Sequence, residues 1–305
     1  MSNQKSKSIV GIFILITLLF IIFLVFAFYT VQNLKGSDVI QSSTKAPIGV
    51  VEVDGVIMDS KKTIRKLLKA EKDDKIKAII VRVNSPGGAV GPTQEIYEEI
   101  RRIDKKKPVY ASFGTVAASG GYYIGAACRK IYTNAGAMTG SIGVIMNFMN
   151  FSKLYDFAKV KSETVKSGKY KDIGNAARDM TDEERLLLTE MTESVHEQFI
   201  MDIFKVRESV LVDGLEGLKR YAQGQIFSGQ EAKDRGLVDE IAGLWESGRR
   251  IHAELKLKGD FDLKFIKIKK DKISFADIVG DMQEVIKDIR YSVKGQSSPM
   301  FLFQK

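Results

Sequence analysis

The chain has 305 residues, 44% hydrophobic and 28% charged, with a formal net charge of +9. Its basic residues are spread along the chain with no stripe of arginines and aromatics, which favours a surface facing anionic lipid headgroups over nucleic-acid binding. The single cysteine, Cys128, excludes a disulfide framework and a cysteine-rich zinc site.

The first predicted element is a membrane anchor over residues 9–29, an unbroken apolar run. About 21 helical residues rise roughly 31 Å, which matches the thickness of a bilayer core. Lys5 and Lys7 precede the run, so residues 1–8 are expected in the cytoplasm and the rest of the chain outside it, at the cytoplasmic membrane. A cleaved signal peptide is the alternative. Its apolar core would be shorter and followed by small residues at the cut, and neither feature is present.

Beyond the anchor, residues 30–46 are polar and are predicted to be a linker, residues 47–257 a globular domain, and residues 258–305 a C-terminal extension. Strand and helix patterns alternate along the globular domain, as expected of stacked β-α units around a parallel or mixed sheet. A core-facing helix is predicted over residues 180–207. The strands are predicted at 48–53, 76–84 and 109–113, and the other helices at 60–72, 91–105, 122–128 and 275–289.

Three glycine-rich turns interrupt these elements. The first, Asn84-Ser85-Pro86-Gly87-Gly88, follows a buried strand. Adjacent glycines let backbone N–H groups point at one ligand atom, as an oxyanion hole requires. An ordinary strand-to-helix turn explains this motif equally well.

The second turn, residues 117–121, places Ser119 between small neighbours and directly before an apolar helix. Its hydroxyl is expected to be accessible, and the helix N-terminus would stabilise an anion there. The alternative role is a helix N-cap. The third turn, residues 139–143, opens a β-rich stretch.

A serine nucleophile needs a base. His196 is predicted on the solvent side of its helix and His252 in a late helix, so a Ser-His-Asp triad has little support. A lysine must be neutral to accept a proton, and burial can lower its pKa from about 10.4 by roughly 3–5 units. Lysines are too abundant here for these considerations to select one.

The three turns together resemble signal peptide peptidase A, the bacterial SppA family of serine peptidases. The similarity extends over residues 48–244 and is carried by Asn84-Ser85-Pro86-Gly87-Gly88, Ala118-Ser119-Gly120-Gly121-Tyr122-Tyr123, Thr139-Gly140-Ser141-Ile142-Gly143-Val144, Ile226-Phe227-Ser228-Gly229-Gln230-Glu231-Ala232 and Gly236-Leu237-Val238-Asp239. The resemblance implies a ClpP/crotonase-like α/β fold of stacked β-β-α units, so that residues 47–257 would be a peptidase domain.

The resemblance also implies a role for each site residue. Ser119 matches the nucleophile and Lys171 the general base, with Lys169 and Lys166 as its rivals. Ser141 matches the residue that hydrogen-bonds the lysine. The oxyanion hole would be formed by backbone N–H groups of Gly88 and Gly120, with Gly87 as an alternative to Gly88.

In that family the substrates are remnant signal peptides in the membrane, no metal or cofactor is needed, and the chains assemble into a ring or dome in which subunits share the dyad. The apolar tail from Pro299 to Lys305 is expected to occupy a neighbouring substrate groove. The alternatives are an acyl-CoA enzyme of the crotonase fold, an inactive membrane scaffold, and a related SohB-type or stomatin-partnered membrane peptidase with other substrates.

Overall fold

A computed structural model of the chain describes residues 17–23, 26 and 47–268, together with the backbone of residues 300–302. The chain divides into two compact units, Met1–Ser42 and Ser43–Lys305. In the first unit, residues 17–23 and 26 are helical, and the remainder of the predicted anchor lies outside the described residues. Among the described helices, none combines the length and the apolar character needed to cross a bilayer.

The second unit is built on an eight-stranded sheet, which confirms the predicted α/β fold with a parallel sheet. The strand order is β7-β6-β4-β2-β1-β9. Strand β5 also pairs with β4, and β8 pairs with β5. Strand β7 is antiparallel to β6, and all other pairs in this sheet are parallel. The strands are β1 (Ile48–Asp54), β2 (Ala78–Ser85), β3 (Gly87–Ala89), β4 (Val109–Ala118), β5 (Ile131–Thr133), β6 (Met138–Gly140), β7 (Ile226–Ser228), β8 (Glu240–Ile241), β9 (Leu263–Phe265) and β10 (Met300–Leu302).

The helices cover both faces of the sheet, which explains why its central strands are nearly continuous apolar runs. In β1, Ile48 and Val50 belong to one buried cluster, whereas Val51 and Val53 belong to the other, as the two-residue period of a strand requires. The helices are α1 (Lys61–Lys72), α2 (Val90–Asp104), α3 (Gly120–Ala126), α4 (Ser152–Phe157), α5 (Asp182–Arg207), α6 (Gly214–Tyr221), α7 (Gly229–Asp234) and α8 (Leu244–Glu254).

Several boundaries of strands, helices and the domain differ from the predicted ones. Strand β4 continues five residues past its predicted end at Phe113 to Ala118, and α3 begins at Gly120, directly after Ser119. Strand β9 pairs with β1 and Ile266 is buried, so the core of the domain extends beyond the predicted boundary at residue 257. The helix predicted at 275–289 lies outside the described residues.

Helix α5 departs most from its prediction as a core-facing helix. Its second half buries Phe199 and Ile203 against α3 and α6. Its first half instead exposes Leu186, Leu187 and Met191. A single chain therefore leaves half of an apolar face uncovered.

Candidate active site

Ser119 stands at a sharp corner between β4 and α3. Its φ of 52° and ψ of −118° are unusual for a residue with a side chain, and such strain costs about 1–3 kcal/mol. Ser119 N–H donates to the carbonyl oxygen of Gly140 at 2.8 Å, which helps to hold the corner. Although Ser119 is the N-cap residue of α3, its side chain makes no capping hydrogen bond. The Ser119 hydroxyl therefore does not cap the helix.

The hydroxyl of Ser119 is buried, and it has no hydrogen-bond partner among the described residues. Buried polar atoms are nearly always paired, because an unpaired one costs roughly 1–3 kcal/mol. A cost of this kind, next to a strained backbone, is typical of a group that is kept for substrate or for a catalytic partner.

The first glycine-rich turn forms β3 and lies against Ile57. The backbone of Ile57 donates to Gly87 O at 2.8 Å and accepts from Ala89 N–H at 2.7 Å. A Cβ built at Gly88 would lie 2.1 Å from the Ile57 carbonyl oxygen, and Gly87 has a φ of 109°, so only glycine fits at either position.

The predicted oxyanion-hole residues are brought near one another by this glycine packing. A Cβ at Gly121 would lie only 2.7 Å from the carbonyl oxygen of Ser85, so the start of α3 closely approaches the end of β2. Gly120 is the first residue of α3, where backbone N–H groups have no partner within the helix. Gly120 therefore directly follows Ser119, and Gly87 and Gly88 follow Ser85, which lies against the start of α3.

Ser141 is held beside the same corner by the pairing of β6 with β4, in which Gly140 lies opposite Ala118. Ser141 is buried and has a φ of 50°, directly after Gly140 with a φ of 82°. Its N–H donates to Gln225 O at 2.6 Å. Ser119 and Ser141 thus follow neighbouring strands at the same edge of the sheet.

Lys171 makes no hydrogen bond to Ser119 within the described part of the chain. It lies in residues 158–181, a segment without helix or strand between α4 and α5, and its side chain is exposed. A Cβ built at Gly168 would lie 3.2 Å from Lys171 Cγ, so the lysine stem lies over this glycine. Within the described residues, neither Lys171 Nζ nor Ser119 Oγ has a hydrogen-bond partner.

The two rival lysines differ from Lys171 in their partners. Lys166 is ion-paired with Asp172, and Lys169 with Glu183. The hydrogen bond that Lys169 donates to Glu183 raises the pKa of Lys169, which favours the charged form that cannot accept a proton. Of the three lysines, only Lys171 has no ion pair with a carboxylate in the described part of the chain.

Charged residues that the sequence analysis did not single out hold the loop around Lys171. Arg178 donates to both carboxylate oxygens of Glu184, at 2.5 and 2.8 Å, and to Asp172 at 3.0 Å. Glu184 is buried and completes a capping box with Thr181 at the start of α5. The residue after Lys171 is therefore tied to the core, and the spacing T-x-x-E was the available sequence signal.

These contacts predict acid-sensitive order in the loop. Hydrogen bonds from Arg178 lower the pKa of Glu184 to about 2 and, with one from Lys166, hold the pKa of Asp172 well below its usual range. A carboxyl whose folded-state pKa is depressed contributes stability above its unfolded pKa, near 4, and that contribution is lost as the pH falls toward 2. Amide hydrogen exchange in residues 166–184, corrected for intrinsic rates, should accelerate across that range.

Arg178→Gln should remove this contribution at neutral pH. We expect the amide protection factors of residues 166–184 to fall, because the hydrogen bonds from Arg178 to Glu184 and Asp172 are lost. Arg178→Lys keeps the charge but cannot form both hydrogen bonds to the Glu184 carboxylate. Its amide protection in residues 166–184 should therefore lie between that of Arg178→Gln and that of the wild type. Equal protection of residues 166–184 in Arg178→Gln and the wild type would show that the loop is held by other contacts.

Neither histidine hydrogen-bonds Ser119 in the described part of the chain. His196 is in α5 and His252 in α8, and the Nε2 atom of each is buried without a hydrogen-bond partner among the described residues. The ring of His252 packs edge-on against Phe261 at 6.0 Å. His196 is half-buried, so the prediction that it faces solvent is wrong, because the second half of α5 packs into the core.

In the part of the chain that the structure describes, no three His, Cys, Asp or Glu side chains converge as metal ligands would.

Comparison with known proteins supports a peptidase. Residues 101–258 match Peptidase family S49, and residues 50–139 match Clp protease. A protein of Synechocystis sp., provisionally named a protease, is 38% identical over 216 residues, covering 70% of this chain and 76% of its own. A protein of Enterococcus faecium, provisionally named signal peptide peptidase SppA, is 31% identical over 263 residues, covering 82% of this chain and 74% of its own.

A longer relative shows the same similarity. The chloroplastic serine protease SPPA of Arabidopsis thaliana is 30% identical over 252 residues, which cover 81% of this chain but 36% of the relative. Two of these relatives are matched over about three quarters of their length. The two family matches, over residues 50–139 and 101–258, together include the Ser119 corner and the glycine-rich turns. The chain therefore belongs to peptidase family S49 and is a serine peptidase.

Proposed function

We propose that this serine peptidase is a membrane-anchored endopeptidase that degrades remnant signal peptides, with Ser119 as nucleophile and Lys171 as general base. The observation that carries the proposal is the position of the chain's own C-terminal tail. Residues 300–302, Met-Phe-Leu, pair with β3 as the antiparallel strand β10, with Phe301 opposite Gly88.

Strand β3 therefore has an edge that accepts an extended apolar peptide beside the candidate oxyanion-hole glycines. Addition of a strand at a sheet edge is a common mode of peptide recognition, because main-chain hydrogen bonds supply affinity for many sequences. The tail was predicted to occupy a neighbouring substrate groove, and its described residues pair with β3 of the same chain. A signal peptide has the apolar character of this tail, which supports the substrate class.

The chemistry is acyl transfer. Neutral Lys171 accepts the proton of Ser119 Oγ as this oxygen attacks the peptide carbonyl, and the N–H groups of Gly88 or Gly87 and Gly120 stabilise the oxyanion. The leaving amine takes a proton as the acyl-enzyme forms. Water then hydrolyses the ester and restores the serine, while Ser141 keeps the lysine amine in place. No step calls for a metal or cofactor.

The base in this proposal comes from a neighbouring subunit of a homo-oligomeric ring or dome. The unpaired Ser119 hydroxyl and the exposed, unpaired Lys171 support this arrangement. So do large apolar side chains exposed between residues 151 and 165, among them Phe157 at 86% exposure. Exposed apolar surface of this extent is typical of an interaction surface. The Clp protease match is consistent with an oligomer.

The apolar run at residues 9–29 supports an anchor in the cytoplasmic membrane with the catalytic domain outside the cytoplasm. A substrate left in the bilayer would then be close to the enzyme. A SohB-type peptidase with other membrane or envelope protein substrates is the alternative, and substrate preference separates the two. Family membership makes a crotonase-type acyl-CoA enzyme a poor explanation of these features.

The proposal is tested by comparing two peptides of equal length on the full-length enzyme in phospholipid vesicles. One carries a continuous apolar core, as signal peptides do, and in the other every second core residue is serine. We expect kcat/KM to be at least about tenfold higher for the apolar peptide, the range that hydrophobic recognition supplies. Equal values, or a preference for the polar peptide, would contradict the signal-peptide assignment.

A matched variant lacking Pro299 to Lys305 tests the role of β3 in the same assay. Because the tail competes for the strand edge, its removal should lower KM for the apolar peptide and leave kcat unchanged. An unchanged KM would mean that substrates do not use the edge on which the tail lies.

A further inference from the structure

Strands β2 and β4 lose register just before the Ser119 corner. Val83 lies opposite Phe113, but the next pair is Ser85 opposite Ala117. From one pair to the next, β2 advances by two residues and β4 by four, so β4 carries two extra residues in a bulge. A regular pairing would shift Ser119 along the strand by two residues, or about 7 Å at 3.3 Å per residue.

The bulge leaves backbone N–H groups of β4 without their regular partners, and one side chain of β2 accepts them. Asn84 Oδ1 accepts from Thr115 N–H at 3.2 Å and from Val116 N–H at 3.3 Å. Gly114 makes room for this side chain, since a Cβ there would lie 3.2 Å from both Asn84 Cβ and Oδ1. We call this arrangement the Asn84 clasp.

The clasp joins the two halves of the candidate site. The residue after Asn84 is Ser85, whose Oγ accepts from Gly87 N–H at 3.1 Å and so holds the oxyanion turn. On the β4 side, the last clasped residue, Val116, is three residues before Ser119. Bulges beside active sites commonly re-aim a side chain, and this one sets where the nucleophile emerges relative to the oxyanion turn.

We propose that Asn84 is a positioning residue for peptide hydrolysis, because its side-chain oxygen holds the β4 bulge that places Ser119 opposite the oxyanion turn. This inference rests on the proposed function of Ser119. It accounts for an exposed asparagine at the end of an otherwise buried strand. Asn84 does not touch substrate in this role, so its loss should affect the chemical step and leave substrate binding intact.

The test compares Asn84→Leu, which has a similar shape but no acceptor, with Asn84→Asp, which keeps the acceptor oxygen. Displacement of a reacting group by about 1 Å can cost about 100-fold in rate. We expect Asn84→Leu to lower kcat by about 10–100-fold, with KM unchanged within about twofold. Acylation of Ser119 by a small fluorophosphonate should slow by a similar factor, and Asn84→Asp should restore most of the rate.

Normal kcat and normal acylation in folded Asn84→Leu would overturn the inference. A loss of activity that is fully explained by the fraction of unfolded protein would also overturn it. If Asn84→Leu does not fold, Gly114→Ala crowds the clasp from the other strand, and unchanged kcat in that variant would also overturn it. Ser119→Ala is assayed alongside. If it keeps full activity, the proposed function fails; if it is inactive while Asn84→Leu is normal, only the role of Asn84 fails.

Discussion

Ser119→Ala should abolish peptide hydrolysis and at the same time make the folded domain more stable. Loss of a serine nucleophile lowers kcat by about 10⁴–10⁶-fold in enzymes of this chemistry. The stability gain follows from the buried Ser119 hydroxyl, which has no partner among the described residues. Removing an unsatisfied buried hydroxyl should raise the free energy of unfolding by about 1 kcal/mol.

Urea unfolding of the two proteins under identical conditions gives this difference from the shift in midpoint. Ser119→Gly is the informative companion, because it removes the hydroxyl and also the side chain that makes a φ of 52° unfavourable. Relief of about 1–3 kcal/mol of strain should outweigh or balance the 0.5–1 kcal/mol entropic cost of glycine. Ser119→Gly should therefore be at least as stable as the wild type.

Two outcomes would contradict this account of the corner. Residual hydrolysis by Ser119→Ala at the wild-type rate would place the nucleophile elsewhere. A Ser119→Ala protein clearly less stable than the wild type would mean that the hydroxyl makes a stabilising hydrogen bond in the native enzyme. The two measurements are independent, because one reads the chemical step and the other the folded state.

Local patterns were sufficient to predict the sheet and the corner at Ser119. The alternation of apolar strands and amphipathic helices reflects burial on two faces, and it predicted β1, β2, α1 and α2 to within two residues at each end. The small residues around Ser119 indicated the strand-to-helix turn, because such a turn cannot accommodate large side chains.

Features that depend on pairing between distant segments were not predictable in this way. The bulge in β4 follows from its register against β2, which no local pattern in residues 114–118 reveals. The exposed first half of α5 has the same apolar period as its buried second half, so periodicity alone assigns both to the core. Lys166, Lys169 and Lys171 lie within six residues, and the sequence alone does not distinguish them. They differ in their ion pairs with carboxylates, which only the folded structure shows.

Lys171→Ala should be as inactive as Ser119→Ala, and mixing the two inactive proteins should restore activity. Within one chain the Lys171 amine and the Ser119 hydroxyl are both without partners in the described residues. If a neighbour supplies the base, a Lys171→Ala subunit still carries an intact serine, and a Ser119→Ala subunit still carries an intact lysine. Co-assembly of equal amounts in a ring should then complete about a quarter of the sites.

The matched control is Lys169→Ala, the same substitution two residues away. Lys169 is exposed and paired with Glu183, and such surface pairs contribute little to stability, so this variant should remain folded and active. If Lys169→Ala is inactive and Lys171→Ala is active, the base is Lys169. An inactive mixture of correctly assembled Ser119→Ala and Lys171→Ala subunits would place both groups in one subunit, which requires residues 158–181 to move toward Ser119. Recovery of activity would instead explain why Arg178 holds this loop in place by hydrogen bonds while Lys171 stays exposed. The loop would then present the lysine to the next subunit.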